Sequence, residues 1–323
     1  MTQSTNNNHQ TPDAAIKADA VYKQYKTKKH HPPYALENFS LTIPRGSLFG
    51  LLGPNGAGKS TFINILAGIV RKTSGTITIW NVDIDTNHRE AKMYIGVVPQ
   101  ELNLDPFFTP REMLDLHAGL YGIPRAKRQT DALLETVGLS HKSDAYARTL
   151  SGGMRRRLMM AKAMVHTPPI LVLDEPTAGV DIELRQHLWK QIRTLNARGV
   201  TVVLTTHYLN EAEELCKDIA IIDKGKIIAN DKTDNLLAHI EKKEVVITIE
   251  EPLQNIPASL KHYDLCQNTP HQLRFSYAPR KTALQPLIEA LQKEHIRIRD
   301  ITTRQSDLED VFIKLTRPSH STP

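Results

Sequence analysis

A chain of 323 residues is long enough for one large domain, or one of ordinary size with a smaller companion, and it can bury a core without disulfide or metal staples. With 40% apolar and 24% charged residues its composition is that of a globular protein and excludes disordered, collagenous and membrane-spanning classes, because no apolar run approaches the ~20 residues that cross a bilayer. The net charge is a modest +6, and two cysteines, Cys216 and Cys266, with no CxxC pair, exclude disulfide scaffolds, zinc ribbons and thioredoxin-like redox chemistry.

The opening residues MTQSTNNNHQTPDA are polar and hold no apolar run of a secretory signal, so residues 1–15 are expected to be a disordered leader and the chain to remain on the cytoplasmic side. Over residues 1–31, Lys17, Lys23, Lys26, Lys28 and Lys29 outnumber Asp13 and Asp19, a solvated flank or one attracted to anionic headgroups. Short apolar segments at 20–25 and 39–43, separated by HHPP at 30–33, predict strands joined by a loop. Residues 47–52 predict a buried strand, 53–58 a glycine-rich turn and 60–69 a helix. Further strands are expected at 76–79, 94–98, 170–173, 200–204 and 219–223, several of them continuous apolar runs suited to a sheet covered on both faces. Between 106 and 150 helix-like segments replace them, at 112–121 and 129–137, with Gly122 and Pro124 as breakers. After about residue 240 the pattern shifts again: strands at 244–249, 272–277 and 296–302, and helices at 282–295 and 307–315, predict a small α+β appendage. No repeat of solenoid period is present.

Gly53-Pro54-Asn55-Gly56-Ala57-Gly58-Lys59-Ser60 fits G-x-x-x-x-G-K-[ST] between the predicted strand and helix, where a phosphate loop must lie. Glycines let the backbone wrap an anion with its N–H groups, and the following helix adds its positive dipole end. Lys59 is placed to reach the β and γ phosphates, Ser60 to offer its hydroxyl to Mg²⁺, and Thr61 to continue the helix start near the α phosphate. The apolar strand PILVL ends in two carboxylates: Asp174 can hold Mg²⁺ through its water shell, and Glu175 can polarise an attacking water. Ser151, Gly152 and Gly153, before the basic run 155–158, form a second anion cradle with Ser151 as helix N-cap.

GPNGAGKST, LSGGM and LVLDEP, in this order, resemble the nucleotide-binding domain of the ATP-binding-cassette (ABC) superfamily, whose signature motif is LSGG, over roughly residues 16–235. The resemblance implies an α/β P-loop NTPase cassette with N-terminal antiparallel strands, a mainly parallel core sheet and an inserted helical subdomain at about 105–165. A C-terminal accessory domain at 240–316 and a tail at 317–323 would follow. It further implies that Gln100 in VVPQ senses Mg²⁺ and faces a transmembrane partner, and that residues 178–181 make contacts across a dimer. In the same way it makes His207 in LTTHYLNEAE the switch histidine that touches the γ phosphate. The adenine-stacking aromatic of the family corresponds best to Tyr25, with Tyr22 and Tyr34 as alternatives because TKKHHPPY lengthens the segment. Residues 306–316, SDLEDVFIKLT, resemble the C-terminal tail of the ATPases that energise ABC-2 type exporters, and the segment 105–122 includes the surface that in relatives docks a permease.

What the resemblance implies as a whole is an ATPase working with ATP and Mg²⁺ as a head-to-tail homodimer, each ATP held between Lys59 of one copy and Ser151 to Gly153 of the other. A separate integral-membrane permease would place it peripherally on the cytoplasmic face. The alternative is a cassette ATPase acting on nucleic acid or ribosomes. Such relatives usually carry two cassettes, long coiled coils or zinc-binding cysteines, none of which this chain has, and no nucleic-acid partner is expected.

Overall fold

Three runs, LFGLL at Leu48–Leu52, ILVLD at Ile170–Asp174 and TVVLTT at Thr201–Thr206, are buried at every position, which requires a sheet covered on both faces. In the computed structural model, which describes residues 13–26, 33–238, 243–263, 265–277, 284–304 and 308–316, they are adjacent strands of one sheet. The chain divides into two compact units at residues 231 and 232.

The first unit contains β1 (Ala14–Gln24), β2 (Tyr34–Pro44), β3 (Leu48–Leu52), α1 (Lys59–Leu66), β4 (Ser74–Ile79), β5 (Val82–Asp83), α2 (His88–Met93) and β6 (Ile95–Val98). It continues with α3 (Pro110–Leu120), α4 (Thr130–Thr136), α5 (Gly152–Ala163), β7 (Ile170–Asp174), α6 (Ile182–Ala197), β8 (Thr201–Thr206), α7 (Leu209–Leu215), β9 (Asp218–Asp223) and β10 (Lys226–Lys232). The core sheet has the order β10-β9-β3-β8-β7-β6, with β9, β3, β8, β7 and β6 running parallel. A second sheet, β2-β1-β4-β5, is antiparallel. Both sheets share one core with α1, in which Phe62 meets Phe39 at a ring separation of 4.7 Å.

Register decides where chemistry can occur. Leu52 pairs with Thr206, Asp174 with Thr205, and Val98 with Leu173, so the carboxyl ends of β3, β8, β7 and β6 lie level. Ligands of open α/β sheets bind beyond those ends. Between β6 and β7, α3, α4 and α5 gather Met113, Leu114, Leu133, Leu134 and Leu158 into an apolar cluster of their own. Helix α3 starts cleanly because Pro110 opens it and Thr109 and Glu112 cap each other's backbone N–H groups.

The second unit is a four-stranded antiparallel sheet, β12-β13-β11-β14, built from β11 (Lys243–Ile249), β12 (Leu265–Thr269), β13 (Gln272–Tyr277) and β14 (Ile298–Arg304), with α8 (Thr233–Ala238), α9 (Gln285–Lys293) and α10 (Leu308–Thr316). Val245, Ile247 and Ile249 alternate inward and pack on Leu287 and Leu291 of α9.

Several elements differ from the sequence reading. β1 begins at Ala14 with Ala15 and Ile16 buried, so the expected leader to residue 15 is too long, while residues 1–12 and the tail 317–323 lie outside the described residues. Helices α2, α6, α7 and α8 and strands β5, β10 and β12 are additional to the elements expected from the sequence. The long α6 is apolar only along a narrow stripe, burying Leu188, Ile192 and Leu195. Among the described residues no helix is long and apolar enough to cross a membrane.

Candidate active site

The loop after β3 closes tightly on its neighbours. A Cβ at Gly53 would lie 2.3 Å from the Ile222 carbonyl oxygen, and one at Gly58, where φ is +116°, would lie 2.6 Å from that of Ala35. Both positions need glycine, Gly53 for close approach and Gly58 for conformation as well. The turn between β9 and β10 braces the loop through a hydrogen bond from the Gly225 N–H to the Ala57 carbonyl at 2.8 Å. Gly58→Ala is therefore expected to lower stability by about 1–3 kcal/mol and to weaken nucleotide binding, checked by urea unfolding and by equilibrium binding of ATP.

Lys59 opens α1 with its side chain only 5% exposed, and its Nζ donates to the carbonyl oxygens of Gly53 at 2.6 Å and Pro54 at 3.1 Å. Burial pulls this ammonium below the ordinary lysine value, while the nearby charges of Glu175 and Asp174 pull it back up. Ser60 and Thr61 follow in the first turn, whose backbone N–H groups have no partners within the helix.

Asp174 ends β7, buried, with its Oδ1 accepting from the Thr205 hydroxyl at 2.6 Å. Desolvation raises its pKa above the usual carboxylate value, against hydrogen bonds from Thr205 and Ser60 and the charge of Lys59. The structure thus brings Ser60, Lys59 and Asp174 together. The next residue, Glu175, turns the chain with φ at +47°, and its N–H donates to both the carbonyl and the hydroxyl oxygen of Thr205. Its Oε2 accepts from Gln100 Nε2 at 3.1 Å and lies 3.2 Å from His207 Nδ1. Three residues from the ends of three strands therefore meet on one carboxylate oxygen.

The donor set fits a hard divalent cation. Ser60, Asp174 and Gln100 offer oxygen ligands, and among the described residues no group of three or more His, Cys, Asp or Glu forms a protein-only cage. Such a site suits Mg²⁺, which keeps waters and phosphate oxygens among its ligands.

The Ser151 hydroxyl caps α5 by accepting from the Met154 N–H at 3.3 Å. A Cβ on Gly153 would strike Leu184 of α6 at 2.4 Å, so glycine allows α5 to start against that helix. Together with Gly179 and Asp181, these residues line a cleft of about 850 Å³, and the residues lining it include none from the phosphate loop. Asp181 caps α6 through the Leu184 N–H at 2.8 Å.

Tyr25 lies just beyond β1, 42% exposed, with the Lys23 ammonium 4.6 Å from its ring centre. Tyr22 and Tyr34 pack edge to face at 5.6 Å. Residues 27–32 of the segment that separates them lie outside the described residues.

Sequence reasoning missed Thr205 and Arg156. The guanidinium of Arg156 is buried and donates to the Gln100 carbonyl at 2.9 Å, bracing the residue that reaches Glu175. A run of threonines on an otherwise apolar buried strand, and one buried arginine within the basic run, were the available signals.

Comparison with known proteins shows the family. A family profile described as ABC transporter matches residues 36–178. The Nod factor export ATP-binding protein I of Ralstonia nicotianae is 37% identical over 90% of this chain and 91% of its own length. The daunorubicin resistance ATP-binding protein DrrA2 of Streptomyces coeruleorubidus is 36% identical over 94% and 95%. The linearmycin resistance ATP-binding protein LnrL of Bacillus subtilis is 34% identical over 93% and 98%. Among solved structures, an ATP-binding subunit of an ABC transporter superposes with a TM-score of 0.62 at 26% identity, covering 70% of this chain and 92% of that one. A dimeric ATP-binding cassette in a post-hydrolysis state with ADP and Pi gives 0.60 at 28% identity, covering 67% and 98%. The chain belongs to the ABC transporter family, as an ATP-binding ATPase subunit similar to those of ABC-2 type exporters.

Proposed function

We propose that the chain hydrolyses ATP as one of two copies packed head to tail and passes the resulting movement to a separate permease that exports a substrate. The observation that carries this reading is the meeting of Gln100, Glu175 and His207 beside the phosphate loop. Lys59 and the loop N–H groups hold the β and γ phosphates, and Tyr25 stacks on the adenine. Glu175 accepts a proton from a water whose oxygen bonds to the γ phosphorus as the bond to the bridging oxygen of ADP breaks. His207 orients the γ phosphate. Bound through Ser60, Asp174 and Gln100, Mg²⁺ would neutralise phosphate charge.

The dimer is supported by the cleft at Ser151, Gly152 and Gly153, an anion cradle that shares no lining residue with the phosphate loop. A second copy's ATP completes it, so ATP joins the subunits and its hydrolysis releases them. The relative captured as a dimer with ADP and Pi is in keeping with this cycle.

The permease reading rests on the segment 105–122, where Phe107, Leu116 and Leu120 are exposed and Leu116 and Leu120 lie one helical turn apart on α3. A helix from an integral-membrane subunit fits such a face and places the chain peripherally at the cytoplasmic side of the membrane. Purification of the tagged chain from gently solubilised membranes should recover a multi-span protein. Leu116→Asp with Leu120→Asp should abolish that recovery at unchanged ATP affinity. Recovery of ribosomal or nucleic-acid-processing components instead would overturn the transport reading and leave the ATPase site standing.

A further inference from the structure

Glu211 in α7 is fully buried, and the reaction assigned above makes no use of it. Its Oε1 accepts from the Thr177 hydroxyl at 2.8 Å and from the Trp189 indole N–H at 2.9 Å, while its Oε2 is buried with no hydrogen-bond partner among the described residues. A carboxylate is a poor choice for filling space, because its charge is costly to desolvate and an orphaned oxygen adds to that cost. What it supplies is one acceptor shared by three segments: the turn just after Glu175, the middle of α6, and the helix that begins just after His207.

The turn at Glu175 needs such support. A residue with a side chain holds φ at +47° only where its surroundings fix it. On the β7 side the Glu175 N–H is fixed by Thr205. On the far side the next side chain bonded inward is Thr177, 1% exposed, and its partner is Glu211. Glu211 is tied in turn to the histidine segment, since its N–H donates to the Tyr208 carbonyl at 3.1 Å and Tyr208 packs on His207 at a ring separation of 4.2 Å.

We propose that Glu211 is a positioning residue that, through Thr177, holds the Glu175 turn in register with the His207 segment. The general base and the histidine that faces it at 3.2 Å then move as one unit. This rests on the assignment of Glu175 and His207 above.

The test compares Glu211→Gln, Glu211→Ala, Thr177→Val and the double variant Glu211→Ala/Thr177→Val in the full-length chain, by ATPase kinetics, equilibrium ATP binding and urea unfolding. Glutamine keeps the acceptor for both donors, so Glu211→Gln should retain kcat within about twofold. Glu211→Ala and Thr177→Val should each lower kcat by roughly tenfold or more at unchanged ATP affinity, because small displacements of reacting groups cost up to ~10²-fold. The double variant should be no slower than the slower single one, as for two halves of one device. A folded Glu211→Ala chain with parental kcat would overturn the proposal. So would a harmless Thr177→Val beside a Glu211→Ala chain that loses ATP affinity and kcat together, the outcome of a merely structural role. If Glu211→Ala does not fold, Thr177→Val and Glu211→Gln decide alone. Glu175→Gln run alongside separates the two readings: retained turnover there removes the base assignment and this inference with it, whereas loss there with full activity in Thr177→Val removes this inference alone.

Discussion

Glu175→Gln is expected to cut ATP turnover by about 10²–10⁴-fold, the usual contribution of a positioned general base. The substitution keeps the shape of the side chain and an oxygen able to accept from Gln100, so the geometry at 3.1 Å can persist. What it removes is the capacity to take a proton from water. Lys59 and the loop glycines are untouched, so ATP still binds. Because the same ATP is proposed to hold two copies together, a chain that binds but does not cleave should accumulate as a dimer. Steady-state phosphate release gives the first result, and size-exclusion chromatography with light scattering in excess ATP gives the second. A monomer under those conditions would contradict the head-to-tail mechanism, and retained turnover would show that another group accepts the proton.

The features legible in the sequence are those in which chemistry is written along a short stretch of chain. Gly53 to Ser60 needs glycines at fixed offsets, and the structure gives the reasons in the close approaches at Gly53 and Gly58. The pair Asp174 and Glu175 announces itself because a buried apolar strand ending in two acids is unusual. The core strands were equally plain, since LFGLL, ILVLD and TVVLTT are hydrophobic runs that stay buried throughout. The bracing contacts were not legible. Arg156 reaches Gln100 across 56 residues and Thr205 supports Glu175 across 30, so no local pattern records either pairing. Helix α6 is an intermediate case: Leu188, Ile192 and Leu195 have the spacing of a buried helix face, but the polar residues around them hide it. β10 and β12 are short strands whose polar residues carry no clear alternation, and only sheet pairing defines them.

Lys59→Ala should weaken ATP binding itself, by roughly 10–150-fold, taking ~1.5–3 kcal/mol for hydrogen bonds from a charged donor and ~1.4 kcal/mol per tenfold. Its ammonium is held against the loop by the carbonyls of Gly53 and Pro54, which accept from it at 2.6 and 3.1 Å. Burial disfavours that charge in the folded protein, as its lowered pKa shows. A lysine with a lower pKa in the folded chain binds its proton more weakly there than when unfolded, so it disfavours folding below the folded-state value and less so as pH rises towards the ordinary lysine range. Removing it should therefore spare or raise the urea midpoint of the protein without nucleotide at neutral pH, while ATP affinity falls. Lost affinity with an intact or higher midpoint separates a phosphate ligand from a structural lysine, and unchanged ATP affinity in a folded variant would refute the phosphate-loop assignment.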